Sequence, residues 1–456
     1  MAIAYGRQVS LRILPTLVTL AAASLLIQGC SSASEAASAP TFEPSASTSV
    51  TLNSRSAAAQ TCSATPALFS AYDRGALFTV AESKLSAAGD FNPRKYPVGA
   101  LTNSSAYERS GPRAWTSGFF PSSLWLMYQR TGDRAWLKQA RLWSKAIMPL
   151  SKLRGRGDLG FMVGIPMELA MRLDPSSARR RAYREAFIEA ARTLSKSWNP
   201  NVKALQSGTY DGQWELIIDS AMNAPLLIEA GMILGGTEGD ELRFRGEQHL
   251  LTLLNTFIRD DGSTYQRMTF NPRTGALIGP VPSQGIGIDS TWARSQAWAI
   301  FGLARTYQLT RNQAYLDGAE TTAHYWMTNI DPQCVPAWDF DAPVGAPRDS
   351  SAASVAANGF ILLGQFAKQQ QLRSVEYEPY ARTMLHMLST VPVLAKDSRN
   401  PGVTLQQTKN VNILAKEGSY VWGDTFVLMA GINALYSGPN ATTDYTSSVT
   451  SGLTNG

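Results

Sequence analysis

The stretches YQRTGDRAWLKQA (128–140) and YQLTRNQAYLDGA (307–319) share Tyr-Gln-x-Thr, then Ala, an aromatic residue, Leu and a closing Ala. Each joins the end of one apolar helical pattern to the start of another. GGTEGDELRFRGEQHL (235–250) is a looser third copy. A recurring helix–turn–helix unit cannot bury its apolar face alone, so such units stack on their neighbours. From residue 66 to 437 the apolar recurrence is mostly helical. Six hairpins of roughly 60 residues each would fill that span. Stacked hairpins either wind into an open superhelix or close into a ring. The irregular echoes and the long connections holding Trp, Asp and Gly favour an all-α toroid of six helical hairpins, with a site on the loops at one mouth. One exception is expected in RDDGSTYQRMTFNPRTGALIGPVPSQG (259–285), whose turn signals predict a short β-hairpin leading into a helix near Ser290.

The chain has 456 residues, 44% of them hydrophobic and 17% charged, which suits a large core. Its 11 Trp and 16 Tyr either pack that core or stack on the C–H faces of sugars. The net charge of +6 comes without a run of five like charges, which argues against nucleic-acid binding and suits a polyanionic substrate. Arg7 and Arg12 precede an apolar stretch at 13–27 that is too short to span a membrane and reads as an export signal over residues 1–30. LLIQGCSS (25–32) reads either as a lipobox with a lipid anchor at Cys30 or as an ordinary cleaved leader. Residues 31–65 are expected to be a Ser/Ala-rich disordered tether, 66–437 the catalytic domain and 438–456 a flexible tail. The expected location is extracytoplasmic, secreted or as a periplasmic or outer-membrane lipoprotein. There Cys62 and Cys334 either pair or remain buried thiols.

His249, His324 and His386 are scattered without partners at ligand spacing, so no metal site is expected. GIG (285–287) lacks the context of a nucleotide fingerprint. With no cofactor expected, acid–base work falls to carboxylates. Asp133, Asp240 and Asp261 belong to turns, Asp349 reads as a helix cap, and Asp339 and Asp341 either shape a site or turn the chain. Two remain. Asp158 sits in RGDLGFMVG (156–164), and Asp219 in ELIIDSAMNAPLLIEAG (215–231), which reads as a buried helix. Burying an ionised carboxylate is costly, so such a group either keeps its proton, as a general acid must, or is held structurally by hydrogen bonds. Asn223, one helical turn beyond Asp219, would bond the carboxyl or a substrate hydroxyl. In DSTWARSQAWAIFGLA (289–304), Asp289 or Ser290 would cap a helix. Arg294 beside Trp292 and Trp298 offers either a seat for a carboxylate-bearing sugar or a buried aromatic face with a surface cation.

WTSGFFPSSLWLMY (115–128), GDLGFM (157–162), IIDSAMNAPLL (217–227), DGSTYQ (261–266), QGIGIDSTWARSQAW (284–298), PAWDFDAP with DSSAAS (336–354) and YVWGDTFVLMAGINAL (420–435) follow in order. As a set they resemble the unsaturated glucuronyl hydrolases, glycoside hydrolase family 88. The resemblance implies an (α/α)6 barrel and hydration of the C4=C5 double bond that polysaccharide lyases leave at a non-reducing end. It implies Asp219 as acid/base and Asp158 as the second Asp, whose charge keeps Asp219 protonated. Trp115, Gln284, Trp292, Arg294 and Trp298 match positions that line the family's sugar pocket. The tryptophans would stack on the sugar; Gln284 and Arg294 would serve polar or charge-balancing roles. Two positions depart from many members. Gly157 replaces a His before the D-L-G-F Asp, and Gln266 replaces a His after the hairpin's S-T-[YF]. Gln266 can still hydrogen-bond a sugar but cannot titrate. The alternatives are an unsaturated galacturonyl hydrolase acting on pectin fragments, a drifted glycan-binding protein of the same fold, and a helical-repeat scaffold.

Overall fold

Helices α1 (Ala71–Ala88), α2 (Phe119–Thr131), α3 (Arg134–Ile147), α4 (Ile165–Leu173), α5 (Ser177–Ser195), α6 (Pro225–Leu234), α7 (Gly236–Phe257), α8 (Ala293–Thr310), α9 (Gln313–Asn329), α10 (Ser350–Gln369), α11 (Tyr377–Leu388) and α12 (Val421–Asn433) alternate between an outer and an inner ring. This computed structural model describes residues 62, 69–88, 92–331, 333–369, 377–409 and 417–435. The even-numbered helices form the inner ring. Helix α2 packs on α4, α6 on α8, α8 on α10, α10 on α12, and α12 returns to α2; the turn at Gly160–Gly164 fills the step between α4 and α6. The protein is an (α/α)6 barrel. Inner helices are buried nearly all round, as α8 is from Ala293 to Tyr307. Outer helices keep one apolar stripe. On α3 it is Trp136, Ala140, Trp143 and Ile147, at helical spacing, with Lys138 and Lys145 in solvent.

The sequence echo is one turn built twice. Gly132 and Arg311 both adopt left-handed backbone, and their N–H groups donate to the carbonyls of Tyr128 and Tyr307 at 2.8 and 2.9 Å. Asp133 and Asn312 then cap the next helix, accepting from the N–H of Ala135 and Ala314 at 2.8 and 3.1 Å. Thr131 and Thr310 accept from the cap residues' own N–H, each at 3.2 Å. The looser copy keeps a positive-φ residue, Gly235, but α7 starts without a side-chain cap.

Every inner helix begins at the same end of the barrel, and short sheets crown that end. Strands β1 (Tyr96–Leu101) and β2 (Glu108–Ser110) lead into α2. Next come β3 (Trp198–Asn199) with β4 (Ala204–Leu205), then β5 (Gly208–Tyr210), β6 (Gln213–Ile217), β7 (Arg267–Phe270) and β8 (Leu277–Pro280), and last β9 (Gln407–Thr408) and β10 (Glu417–Tyr420). One antiparallel sheet runs β2-β1-β10-β9, tying the first described strands to the last; another runs β5-β6-β7-β8. The expected hairpin at 259–285 is β7–β8. The helix after it starts at Ala293 rather than near Ser290, and Trp292 takes the cap position without a side-chain bond. Neither Asp289 nor Ser290 caps it.

ELIIDSAMNAPLLIEAG is not one helix. It is strand β6, a tight turn at Ile218–Met222, and then α6, opened by Pro225. Pairing with β7, Trp214 to Phe270 through Ile217 to Arg267, outweighs local helix preference. Cys62, inside the stretch expected to be a tether, is buried and disulfide-bonded to Cys334. The expectations for residues 1–30, for the rest of 31–65 and for 438–456 lie outside the described residues.

Candidate active site

Two turns meet at the crowned end. The first carries Asp158 just ahead of Gly160–Gly164, and the second carries Asp219 between β6 and α6. Gly160 makes the meeting possible, since a Cβ there would lie 2.6 Å from the Cα of Asn223. Asn223 is buried and ties the turns together. Its Oδ1 accepts from the N–H of Phe161 at 3.0 Å, and its Nδ2 donates to the backbone carbonyl of Asp219 at 3.2 Å. This corrects the expectation that Asn223 bonds the carboxyl or a substrate hydroxyl. Its amide is committed to backbone because the two carboxyls approach from separate turns, not along one helix face.

Both carboxyls are half-buried, and both sit above the usual carboxylate range. Burial is the main cause for each. The charge of Asp219 pushes Asp158 further, to about 7, against the opposing pull of Arg156. For Asp219 the opposing influences are Arg294, a backbone N–H, Arg267 and a hydrogen bond from Gln266. The influence between them runs from Asp219 to Asp158, the reverse of the expectation that the Asp158 charge keeps Asp219 protonated; burial raises Asp219 instead. Oδ2 of Asp219 is sealed from solvent and has no hydrogen-bond partner among the described residues. A buried oxygen left this way carries a desolvation penalty unless a substrate or a proton engages it.

Gln266 is fixed from its far side. Its Oε1 accepts the N–H of Gln284 at 2.9 Å, which leaves Nε2 to donate toward Asp219. Gln284 thus contributes backbone to the site, and its half-buried side chain stays on the mouth loop.

Arg294 is buried and spoken for. It donates to Asp349 at 2.7 Å, to Ser351 at 2.9 Å and to the carbonyls of Thr408 and Lys409 at 2.7 and 3.0 Å. Its guanidinium lies 4.5 Å from the ring centre of Trp292 and 5.2 Å from that of Trp422. The seat for a carboxylate-bearing sugar is therefore already taken by Asp349, which the sequence reading had as a cap only; Asp349 does accept from Ser351 N as well. What Arg294 still delivers is positive charge felt by Asp219.

The aromatic expectations separate by exposure. Trp298 is 0% exposed and packs on Phe161 and Phe426, so it has no face left for a sugar. Trp292, at 3%, is closed by Arg294. Both are core because α8 is buried on every side. Trp115 is half-buried at the mouth, its ring centre 5.0 Å from that of Trp422 and 5.9 Å from that of Phe161. Asp339 is fully buried as a loop fastener, accepting from Ile286 N, Ser290 Oγ and Asp341 N, while Asp341 accepts from Thr291 N. The charges of Arg156 and Arg267 also reach the pair, Tyr210 and Glu215 adjoin Arg267, and sequence reasoning missed all four. The only available signal was that Arg156 and Arg267 lie within two residues of Asp158 and Gln266. Among the described residues no group of His, Cys, Asp and Glu is arranged to hold a metal ion.

An α/α barrel that gathers two carboxyls, both raised above their usual range, at one mouth has the equipment of a carbohydrate-active hydrolase. A protein of Formosa agariphila named unsaturated glucuronyl hydrolase is 32% identical over 354 residues, covering 74% of this chain and 85% of that protein. The chain belongs to the unsaturated glucuronyl hydrolase family and is a glycoside hydrolase. An unsaturated chondroitin disaccharide hydrolase of Streptococcus pyogenes is 28% identical over 359 residues, covering 75% and 86% of the two chains. The crystal structure of an unsaturated glucuronyl hydrolase specific for heparin superposes with a TM-score of 0.74 at 25% identity, covering 80% of this chain and 97% of that one. The Bacillus sp. GL1 enzyme shares the fold, with a TM-score of 0.71 at 24% identity over 81% and 97% of the chains. A scan against models of protein families finds no match.

Proposed function

We propose that this enzyme removes the 4,5-unsaturated uronic acid from the non-reducing end of lyase-generated oligosaccharides, with Asp219 and Asp158 handling the proton. The names of its relatives support the substrate class, and the sealed, partnerless Oδ2 of Asp219 supports the roles. A proton passes from Asp219 to C4. The positive charge that develops at C5 is shared with the ring oxygen, and water adds there, giving its own proton to the carboxylate. The C5 hemiketal opens by breaking its bond to the ring oxygen. C1, left as an open hemiacetal, expels the neighbouring sugar as an alcohol. Burial keeps the proton on Asp219, Asp158 adds a second proton-holding carboxyl beside it, and Gln266 orients the acid. The aligned N-terminal ends of the inner helices favour the uronate carboxylate at this mouth.

Trp115 is the ring assigned to sugar contact, since it alone of the three expected tryptophans keeps an open face. Export is the favoured location, supported by the leader-like residues 1–30 and by the Cys62–Cys334 disulfide. Replacing Cys30 by Ser would release activity from the membrane fraction if that residue carries lipid. The substrate test offers unsaturated disaccharides from glycosaminoglycan, gellan, xanthan and pectin lyases and follows loss of the double bond's ultraviolet absorbance. Turnover of the unsaturated glucuronides is expected. Turnover of pectin fragments alone would replace this reading by the galacturonyl one, and binding without turnover would make the protein a lectin.

A further inference from the structure

On the outer wall of the barrel, Arg134, Lys138, Arg141 and Lys145 follow one another at intervals of four, three and four residues, which places them on one face of α3. They span roughly 16 Å of helix rise. Arg179 of α5 lines the same groove, a trough of about 910 Å³ between the two outer helices. The turn Met148–Lys152, on which α5 packs, follows α3 at the groove's end. Among the described residues no acidic side chain lines the trough. Asp174, next to it, is buried and answered by Arg141, which donates to it at 2.8 and 2.6 Å. Arg134, Lys138, Lys145 and Arg179 are exposed and form no ion pair among the described residues. Leu142 lies among these cations with 46% of its surface exposed.

We propose that this groove holds a linear polysaccharide bearing uronate carboxylates, anchoring the enzyme to the uncleaved polymer from which its substrates are cut. Cations without counter-ions, set in a line along a concave wall, match a strand of negative charge. Concavity fits a strand better than the flat face of a bilayer. A single-stranded nucleic acid would need exposed rings on which to stack its bases. Tyr183 is the one aromatic residue lining the groove, and it is buried. Leu142 instead offers an apolar surface to the C–H faces of sugar rings. The choice of polymer rests on the reaction proposed above. An unsaturated uronide arises by elimination from a uronate inside a chain, so that chain carries carboxylates. The groove lies on outer helices, and none of its residues belongs to the acid pair or its neighbours, so holding the polymer leaves the mouth free.

The test is affinity electrophoresis of the full chain in gels holding alginate or neutral dextran, with single-stranded oligonucleotide and anionic lipid vesicles as competitors. Alginate should retard the enzyme, dextran should not, and added salt should release it. The triple variant Arg134→Gln, Lys138→Gln, Lys145→Gln should bind alginate about tenfold more weakly, the combined size of three exposed charge pairs. A matched variant that removes three exposed cations elsewhere, Lys196→Gln, Arg273→Gln and Lys396→Gln, should lose less than twofold. Thermal unfolding and turnover of an unsaturated disaccharide should be the same in both variants as in the parent. Equal loss in the two variants would reduce the effect to net charge and overturn the proposal. Absence of retardation by alginate overturns it too, as does tighter binding of the oligonucleotide or the vesicles than of alginate. Each of these results leaves the reaction standing so long as the unsaturated disaccharide is consumed. Retardation that depends on the groove, with no unsaturated substrate consumed, would uphold the polymer site and remove the proposed reaction.

Discussion

The two ends of the barrel lumen hold carboxyls that burial pushes upward, with opposite meaning. Arg305 lies eleven residues along α8 from Arg294, roughly 16 Å of helix rise. There Glu229 is also pushed up to about 7, chiefly by burial, and Glu168 adds to the effect. Yet Arg305 bonds Glu229 at 2.7 Å and Glu168 at 3.0 Å, beside a cavity of about 80 Å³. At the mouth, neither Asp158 nor Asp219 has such a partner among the described residues. Arg294 is spent on Asp349, and Arg267 faces Glu215. Aromatic rings separate the two ends, with Trp298 packed on both Phe161 and Phe426. Burial alone therefore does not mark an acid. What marks it is burial with the neutralising cation withheld.

The largest effect that would break this contrast is on turnover. Asp219→Asn should lower kcat by ~10³-fold or more, the scale of losing a general acid, with unfolding temperature unchanged or raised. A variant retaining a tenth of the activity would remove Asp219 from the chemistry. At the other end the expected loss is in stability. Arg305→Met strands the buried Glu229 and the half-buried Glu168 and should cost ~3 kcal/mol in denaturant unfolding. Its kcat/KM should stay within a few-fold, and a catalytic collapse in a folded variant would mean that the lower end takes part in the reaction.

Proton linkage sharpens the contrast. The folded enzyme holds a proton on Asp158 up to about pH 7. The unfolded chain releases it near pH 4. Stability carried by that proton is present below pH 4 and is lost as pH rises to 7. Asp158→Asn should therefore be more stable than the parent above pH 7, the gap closing toward pH 4, as thermal scans across pH would record. A gap independent of pH would contradict the raised Asp158 carboxyl. The smallest effect belongs to Gln266→Leu. Losing a donor to the carboxylate raises the Asp219 pKa, so the alkaline fall in kcat should move upward in pH, with a few-fold loss at neutrality. An unmoved profile would free Gln266 from the acid.

The helical ring was legible because its repeat is local. Tyr128 to Asp133 and Tyr307 to Asn312 specify left-handed ends and caps within six residues, so the signal survives in the sequence alone. Asp158 and Asp219 were legible for a related reason, each being a carboxylate in an apolar run. Where the reading failed, a distant partner decided the outcome. The strand before Asp219 exists because β7 lies beside it. Arg294 and Trp298 look equally fit for a sugar in one dimension. They are withdrawn from it by Asp349, Phe161 and Phe426, residues tens to more than a hundred positions away.

Residue order by itself determined the hairpins, their caps and the two acids that had to find shelter, because backbone capping and apolar spacing act over one or two helical turns. Only the closed ring decided which cation each acid would meet and which rings would see solvent. Those outcomes depend on Coulomb and packing contacts that fall off within a few ångströms, and it takes the folded barrel to bring residues from distant hairpins that close.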